Sequence, residues 1–255
     1  MTALTHNPLL LLPISFAVLW LSAWIGTAGF KGLRSQAATQ HEDFAVVQGA
    51  TLTLLGLIIG FTFSMALTRY DQRKNYEEEE ANAIGTEFLR ADLLPQADRM
   101  KVRELLLSYL EQRVLFYTTR DEQQLEEIDA RTAKLQSALW TAVQAPANAQ
   151  PTPLMALAVA GMNDVLNSQG YTQAAWLNRI PAGAWSLMAA IAVCATLLVG
   201  VGARSGKSGY SILVVLPLVL SIAFFLIADI DSPRRGIIHV EPLNLHSLTK
   251  ALRTQ

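Results

Sequence analysis

The sequence predicts an all-α integral membrane protein with four transmembrane helices and a helical cytoplasmic domain. Of its 255 residues, 51% are hydrophobic and only 16% are charged, whereas typical soluble domains carry roughly 25% charged residues. The mean hydropathy is positive, at +0.28. The charges are also segregated, because long stretches carry none and one middle stretch carries most of them. A bilayer imposes this pattern, since a charge at its centre costs several kcal/mol.

Four stretches are long enough to cross a bilayer core of roughly 30 Å, which takes about 20 apolar helical residues. None of them contains Asp, Glu, Lys, Arg or His. They cover residues 9–30, 44–68, 182–203 and 210–228. We therefore divide the chain into transmembrane helices 1 and 2 (1–68), a helical cytoplasmic domain (69–180), transmembrane helices 3 and 4 (181–230) and a C-terminal tail (231–255).

The first apolar stretch could instead be a cleaved signal peptide. Residues 1–7 contain no Lys or Arg, and the apolar run is longer than the 7–15 residues of a cleaved signal. The run also contains Trp20 and Trp24, with no clean small-residue cleavage site before Gly26. These features favour an uncleaved helix.

The distribution of basic residues predicts the orientation. Four spans place both termini and the middle region on one side, and basic residues near the membrane favour the cytoplasm. That side carries Arg69, Arg73, Lys74, Arg179, Arg234 and Arg235. The opposite side carries Lys31, Arg34, Arg204 and Lys207. We therefore expect both termini in the cytoplasm.

Residues 69–180 are too polar to span and too long for a loop, and their apolar positions recur at helical spacing. Breaks are expected at Leu94-Pro95, Ala145-Pro146 and 151–153. A further helix is expected over residues 154–166. One apolar stripe comprises Val102, Leu105, Leu106, Tyr109, Leu110 and Tyr117. A short heptad seam comprises Leu125, Ile128, Leu135 and Leu139, with Thr132 at the intervening position.

The second span is the most polar of the four. Gly56 and Gly60 have the GxxxG spacing that lets another helix approach closely. One helical face carries Thr53, Leu57, Phe61, Ser64 and Thr68. If several copies met around an axis, this face would form alternating polar and apolar rings, and apolar constrictions can gate ions by dewetting. The alternative is ordinary packing, with hydroxyls bonded to their own backbone.

The same segment carries a resemblance to a known family. Residues 60–70, Gly-Phe-Thr-Phe-Ser-Met-Ala-Leu-Thr-Arg-Tyr, resemble the neck helix of the bestrophin channels. Residues 70–76 and 80–95, and the tail Asp-Ser-Pro-Arg-Arg-Gly at 231–236, are similar to the bacterial bestrophin-like membrane family. The resemblance to that bacterial family covers most of the chain, and the link to bestrophins proper rests mainly on the second span.

The resemblance implies a pentamer with one axial pore and a neck lined near Thr53, Leu57 and Phe61. Phe61 matches a neck aromatic, whereas Leu57 and Thr53 replace an aromatic and an aliphatic residue, so a wider or wetter neck is expected. Arg69 and Tyr70 would lie where the pore leaves the membrane. The acidic calcium clasp of animal bestrophins is not reproduced. Ion preference does not follow, because the family includes anion and cation channels.

Four consecutive glutamates follow the second span and could enrich cations at the pore mouth. They are Glu77, Glu78, Glu79 and Glu80. The alternative, which we favour, is a solvated helix face on which Arg73 and Lys74 lie four residues before Glu77 and Glu78.

Other functional classes find little support. A net charge of −1 gives no overall attraction to nucleic acid, and the single cysteine, Cys194, and the scattered histidines have no zinc spacing. Residues 202–208 lack the glycine spacing and the strand context of a phosphate loop, so no nucleotide is expected. No catalytic motif is present. We expect no enzyme, metal or cofactor.

Together with the resemblance, which implies the pentamer, the sequence predicts a homo-oligomeric channel in a bacterial inner membrane that passes small inorganic ions passively across the lipid bilayer. The absence of intramembrane charges disfavours a proton-coupled carrier. The alternative is a non-conducting membrane adaptor or sensor whose cytoplasmic helical domain binds a partner protein.

Overall fold

A computed structural model describes residues 7–29, 41–203 and 207–254. These residues form eight α-helices and one short 3-10 turn, Ala91–Leu93. The helices are α1 (Pro8–Gly29), α2 (His41–Arg90), α3 (Gln96–Thr118), α4 (Glu122–Ala149), α5 (Pro153–Leu177), α6 (Ala182–Gly202), α7 (Lys207–Asp231) and α8 (Leu243–Leu252). No strand occurs in the described ranges, and the predicted all-α class is confirmed. Lys31, Arg34, Arg204 and the expected end of the first span at Phe30 lie outside those ranges.

Four helical stretches of the described chain are long and apolar enough to cross a membrane. They are Pro8–Ala28, Glu42–Leu93, Pro153–Gly202 and Leu213–Asp231. The third stretch joins α5 to α6, and its uncharged part is α6, as the sequence predicts. In the most apolar part of each stretch, 22%, 6%, 44% and 50% of the residues are buried. The second span is therefore the least buried of these four stretches among the residues that the structure describes.

Helix α2 is continuous over 50 residues, which corresponds to about 75 Å. Its uncharged part ends at Thr68, and charged side chains follow from Arg69 onward. The chain divides into two compact units within this helix. The first unit is Met1–Tyr70 with Arg179–His239, and the second is Asp71–Asn178 with Val240–Gln255.

In the first unit, α1 packs on α6 and α7, and small residues allow the closest approach. A Cβ atom on Gly200 would overlap the carbonyl of Ala23 and lie 3.1 Å from the Cα of Gly26. Close by, the hydroxyl of Ser22 donates a hydrogen bond of 2.9 Å to the carbonyl of Val193. Close backbone contact and an interhelical hydrogen bond are the interactions that hold helices together in lipid.

We expect Gly200→Ala to lower the free energy of unfolding by about 1–3 kcal/mol, because α1 and α6 must separate to admit the methyl group. Thermal unfolding in detergent measures the change. Gly170→Ala is the matched control, since a Cβ there meets nothing within 4 Å and should stabilise α5 by about 0.5–1 kcal/mol. Equal effects of the two substitutions would contradict the close contact.

The second unit contains the polar part of α2 with α3, α4, α5 and α8. The expected breaks at Leu94-Pro95 and 151–153 are present, and the hydroxyl of Thr152 accepts a hydrogen bond of 3.3 Å from the amide of Met155 at the start of α5. The expected break at Pro146 is wrong, because α4 continues through this buried proline to Ala149. Helix α5 also extends beyond residue 166, to Leu177.

Candidate functional site

The second span has one buried face and one exposed face. Leu55, Thr62 and Ala66 are buried, and Leu55 and Ala66 belong to the apolar core of the first unit. The residues predicted to line a pore are all exposed, and they are Thr53, Leu57, Phe61, Ser64 and Thr68. At about 100° per residue, these five positions lie on the side of α2 opposite the buried three. Large apolar groups on this face are open, with Leu57 53% and Phe61 65% exposed.

The threonine hydroxyls of this span bond to their own helix. Thr53 donates to the carbonyl of Gly49 at 2.9 Å, and Thr68 donates to that of Ser64 at 2.9 Å. The buried Thr62 donates to Ile58 at 2.7 Å. Because the hydroxyl protons are used in this way, an exposed threonine oxygen offers its lone pairs to its surroundings.

The glycines of the GxxxG motif are open. A Cβ on Gly56 or on Gly60 would meet nothing within 4 Å. Among residues 7–29, 41–203 and 207–254, no helix packs on this motif, and the packing role of the two glycines stays a prediction.

Arg69 and Tyr70, expected at the pore exit, have partners in the first unit. The guanidinium of Arg69 lies 3.5 Å from the carboxylate of Asp231, and Arg179 lies 3.6 Å from the same group. The Asp231 carboxylate also accepts the amide of Ile180 at 3.2 Å. Tyr70 is half-buried and packs against the apolar core. Arg69 thus contributes to an ion-pair cluster.

The four glutamates do not share one environment. Glu78 and Glu79 are exposed, whereas Glu77 and Glu80 are 1% and 0% exposed. The solvated face favoured from the sequence is therefore wrong for Glu77 and Glu80. The carboxylate of Glu77 accepts the amide of Leu245 at 2.9 Å and the side-chain amide of Asn244 at 2.6 Å, which caps the start of α8. This role suits a carboxylate, since helix N-termini favour negative charge.

Glu80 is the centre of a buried network in the second unit. Its carboxylate is ion-paired with the fully buried Arg113. It also accepts hydrogen bonds from the hydroxyl of Tyr117 at 3.3 Å and from that of Thr172 at 3.2 Å. Burial, followed by the negative charge of Glu80, raises the pKa of Tyr117 well above its usual value. Burial alone would lower the pKa of Arg113, but Glu80 raises it overall.

The family of the chain follows from its sequence over nearly its whole length. The sequence model of the bestrophin-like domain matches residues 14–245. The chain belongs to the bestrophin-like family. It is a membrane protein with apolar helices, and a comparison with curated protein sequences gave no significant match.

Solved structures of a bacterial bestrophin homologue from Klebsiella pneumoniae share the fold of this bestrophin-like protein. Two crystal structures of point mutants give TM-scores of 0.69 and 0.68 at 11% and 12% sequence identity. They cover 95% and 94% of this chain and 98% and 97% of the homologue. A further crystal structure of the homologue gives 0.63 at 13% identity, with 94% of each chain covered.

The acidic residues at the end of α7 in this bestrophin-like protein have structural roles. The Asp229 carboxylate accepts the amides of Ile237 at 2.9 Å and Ile238 at 2.8 Å. Gly236 completes the turn, since a Cβ there would lie 2.7 Å from an Asp229 oxygen. Among residues 7–29, 41–203 and 207–254, no group of three or more His, Cys, Asp or Glu residues could hold a metal ion. The two hydrogen bonds that Asp229 accepts close the turn that follows α7.

Proposed function

We propose that this bestrophin-like protein is a homo-pentameric channel in the bacterial inner membrane that passes small inorganic ions passively. The pore lies on the axis of the oligomer and is lined by α2, with Leu57 and Phe61 forming the apolar constriction. Thr53, Ser64 and Thr68 form polar rings on either side of it. The observation that carries the proposal is that these five residues lie together on one exposed side of α2, in a span only 6% buried.

The chemistry of this face supports ion passage. The lone pairs of hydroxyl oxygens can replace part of the water around a cation, and an apolar ring can interrupt the water column. None of the four uncharged stretches of the sequence contains Asp, Glu, Lys, Arg or His, the residues that usually relay protons within a membrane. Passive conduction therefore fits these helices better than coupled transport.

The charged residues that follow the second span lie on the cytoplasmic side of the proposed channel. Both termini lie in the cytoplasm, in accord with the basic residues near that side. Glu78 and Glu79, which are exposed, stand at the mouth of the conduit and concentrate cations there. Glu77 and Glu80 are excluded from this role because their carboxylates are buried and bonded.

Single-particle imaging of the detergent-purified protein, combined with ion flux into proteoliposomes, tests the proposal. We expect a five-fold ring whose axial path is lined by Leu57 and Phe61, together with passive flux. A monomer, a dimer, or a ring sealed by the Gly56 and Gly60 faces would contradict it. Absence of flux together with one stoichiometric co-purifying partner would favour the membrane adaptor instead.

A further inference from the structure

Glu87 is a buried acid that the proposed pore does not use. It lies in the charged part of α2, 19 residues beyond Thr68 in the chain. Its side chain is 0% exposed. Neither carboxyl oxygen has a hydrogen-bond partner among the residues that the structure describes. Glu77 and Glu80, on the same helix, are equally buried but fully bonded.

The backbone of α5 lies directly against this carboxyl group. A Cβ on Gly161 would overlap both a carboxyl oxygen of Glu87 and the guanidinium of Arg90. Gly161 is itself buried. The absence of a side chain at this position lets α5 approach the acid closely enough to exclude water.

Two charged groups act on Glu87, one from each of the helices that meet here. Arg90 lies one turn further along α2, and its guanidinium is 3.9 Å from Asp164 on α5. The side chain of Asp164 is 66% exposed, so its ion pair with Arg90 contributes little free energy. On α3, the guanidinium of Arg103 is already engaged with the ring and the carbonyl of the neighbouring Phe88.

A carboxylate without donors is costly to bury, and the group avoids that cost by binding a proton. Burial raises the pKa of Glu87 from 4.5 to about 8, with Arg90 opposing the rise and Asp164 adding to it. The acid is therefore neutral when α5 is packed on it at neutral pH. Exposure to water would return its pKa towards the ordinary value.

We propose that Glu87 is a proton-binding site that controls the packing of α5 on α2. With the proton bound, Glu87 is neutral, α5 is seated at Gly161, and Arg90 pairs with Asp164. When α5 loosens, the proton leaves to water, Glu87 becomes a carboxylate, and Arg90 exchanges Asp164 for Glu87. Glu87, Gly161 and Asp164 all lie in the second unit, so the site does not depend on whether the protein conducts ions.

The direction of the pH effect follows from linkage. The packed state binds the proton more tightly than the loosened state, so rising pH favours loosening. The free-energy difference that favours the packed state over the loosened state is largest below pH 4.5 and decreases progressively as the pH rises to about 8. One proton changes the loosening equilibrium by at most about tenfold per pH unit in this window, with a plateau above it.

Hydrogen–deuterium exchange of the full-length protein in detergent, from pH 5.5 to 9, tests the inference. Peptides from α5 are compared as protection factors, which remove the intrinsic pH dependence of exchange. We expect protection in the wild type to fall by up to about tenfold per pH unit and to level off near pH 8. The variant Glu87→Gln should give a flat profile, whereas the exposed Glu104→Gln should behave as the wild type.

A flat profile in the wild type, or a pH-dependent loss that persists in Glu87→Gln, would overturn the proposal. Asp164→Asn provides a second test that is independent of the folding of the first variant, because Asp164 lies at the surface. Removing its charge should lower the pH at which protection levels off. A plateau at the wild-type pH in this variant would also count against the site.

Discussion

Replacing Arg113 by methionine is expected to lower the free energy of unfolding by about 3–5 kcal/mol, because Glu80 is left as a buried charge without its cation. Both side chains are 0% exposed, so water cannot replace the lost partner. Methionine keeps most of the volume and the contact with Phe116, over whose ring the guanidinium lies at 4.4 Å. In thermal unfolding in detergent, the apparent Tm should fall by about 6–20 °C.

Two further variants separate the charge effect from packing. Arg131→Met removes an exposed pair with Glu127, in which both side chains are more than 60% exposed, and should change stability by less than about 1 kcal/mol. The double variant Glu80→Gln with Arg113→Met should recover much of the loss, since glutamine still accepts from Tyr117 and Thr172. If the double variant is as unstable as the single one, the loss comes from packing and the assigned role of the ion pair is wrong.

Replacing Phe61 by alanine is expected to raise passive ion flux through reconstituted protein by at least several-fold. The reason is that Phe61 is the largest group on the exposed face of α2, and removing it widens and wets the proposed constriction. Flux is measured in proteoliposomes under a fixed ion gradient, with the oligomeric state of the variant verified by imaging.

Phe63→Ala is the matched control for this experiment. Phe63 is on the same helix and is 39% exposed, but at about 100° per residue it points roughly away from Phe61. Flux through this variant should remain at the wild-type level. Unchanged flux through a verified Phe61→Ala pentamer would remove Phe61 from the gate, and a rise in both variants would indicate a general leak.

Much of the fold could be predicted from local sequence features. The four uncharged stretches correspond to helices because the bilayer requires continuous apolar segments with internally bonded backbones. The stop before Pro95 also follows from local sterics. The break expected at Pro146 was wrong because only the local cost of a proline within a helix can be read from the sequence. Pro146 is buried within α4, and the packing that buries it involves residues distant in the sequence. Helix α8 was missed because it is only 10 residues long.

The environment of the glutamates could not be predicted in the same way. The partners of Glu80 lie 33 residues away in the sequence, at Arg113, and 92 residues away, at Thr172. The partner of Glu77, Leu245, lies 168 residues away. Without knowledge of such distant partners, a run of charged residues such as these glutamates is interpreted as a solvated surface. For the second span, periodicity identified one face, and the structure leaves that face exposed. The role of that face as a pore remains a prediction that the experiments above address.

The contact between α1 and α6 has a consequence for biosynthesis. Ser22 and Val193 are separated by 171 residues, and a ribosome adds about 5–20 residues per second. The side of α1 that carries Ser22, Ala23 and Gly26 is therefore synthesised roughly 9–34 s before its partner on α6. Lipid tails cover such a surface at little cost, since they are as apolar as the helix that later replaces them. Insertion of the first helix and completion of its packing are thus separate events during translation.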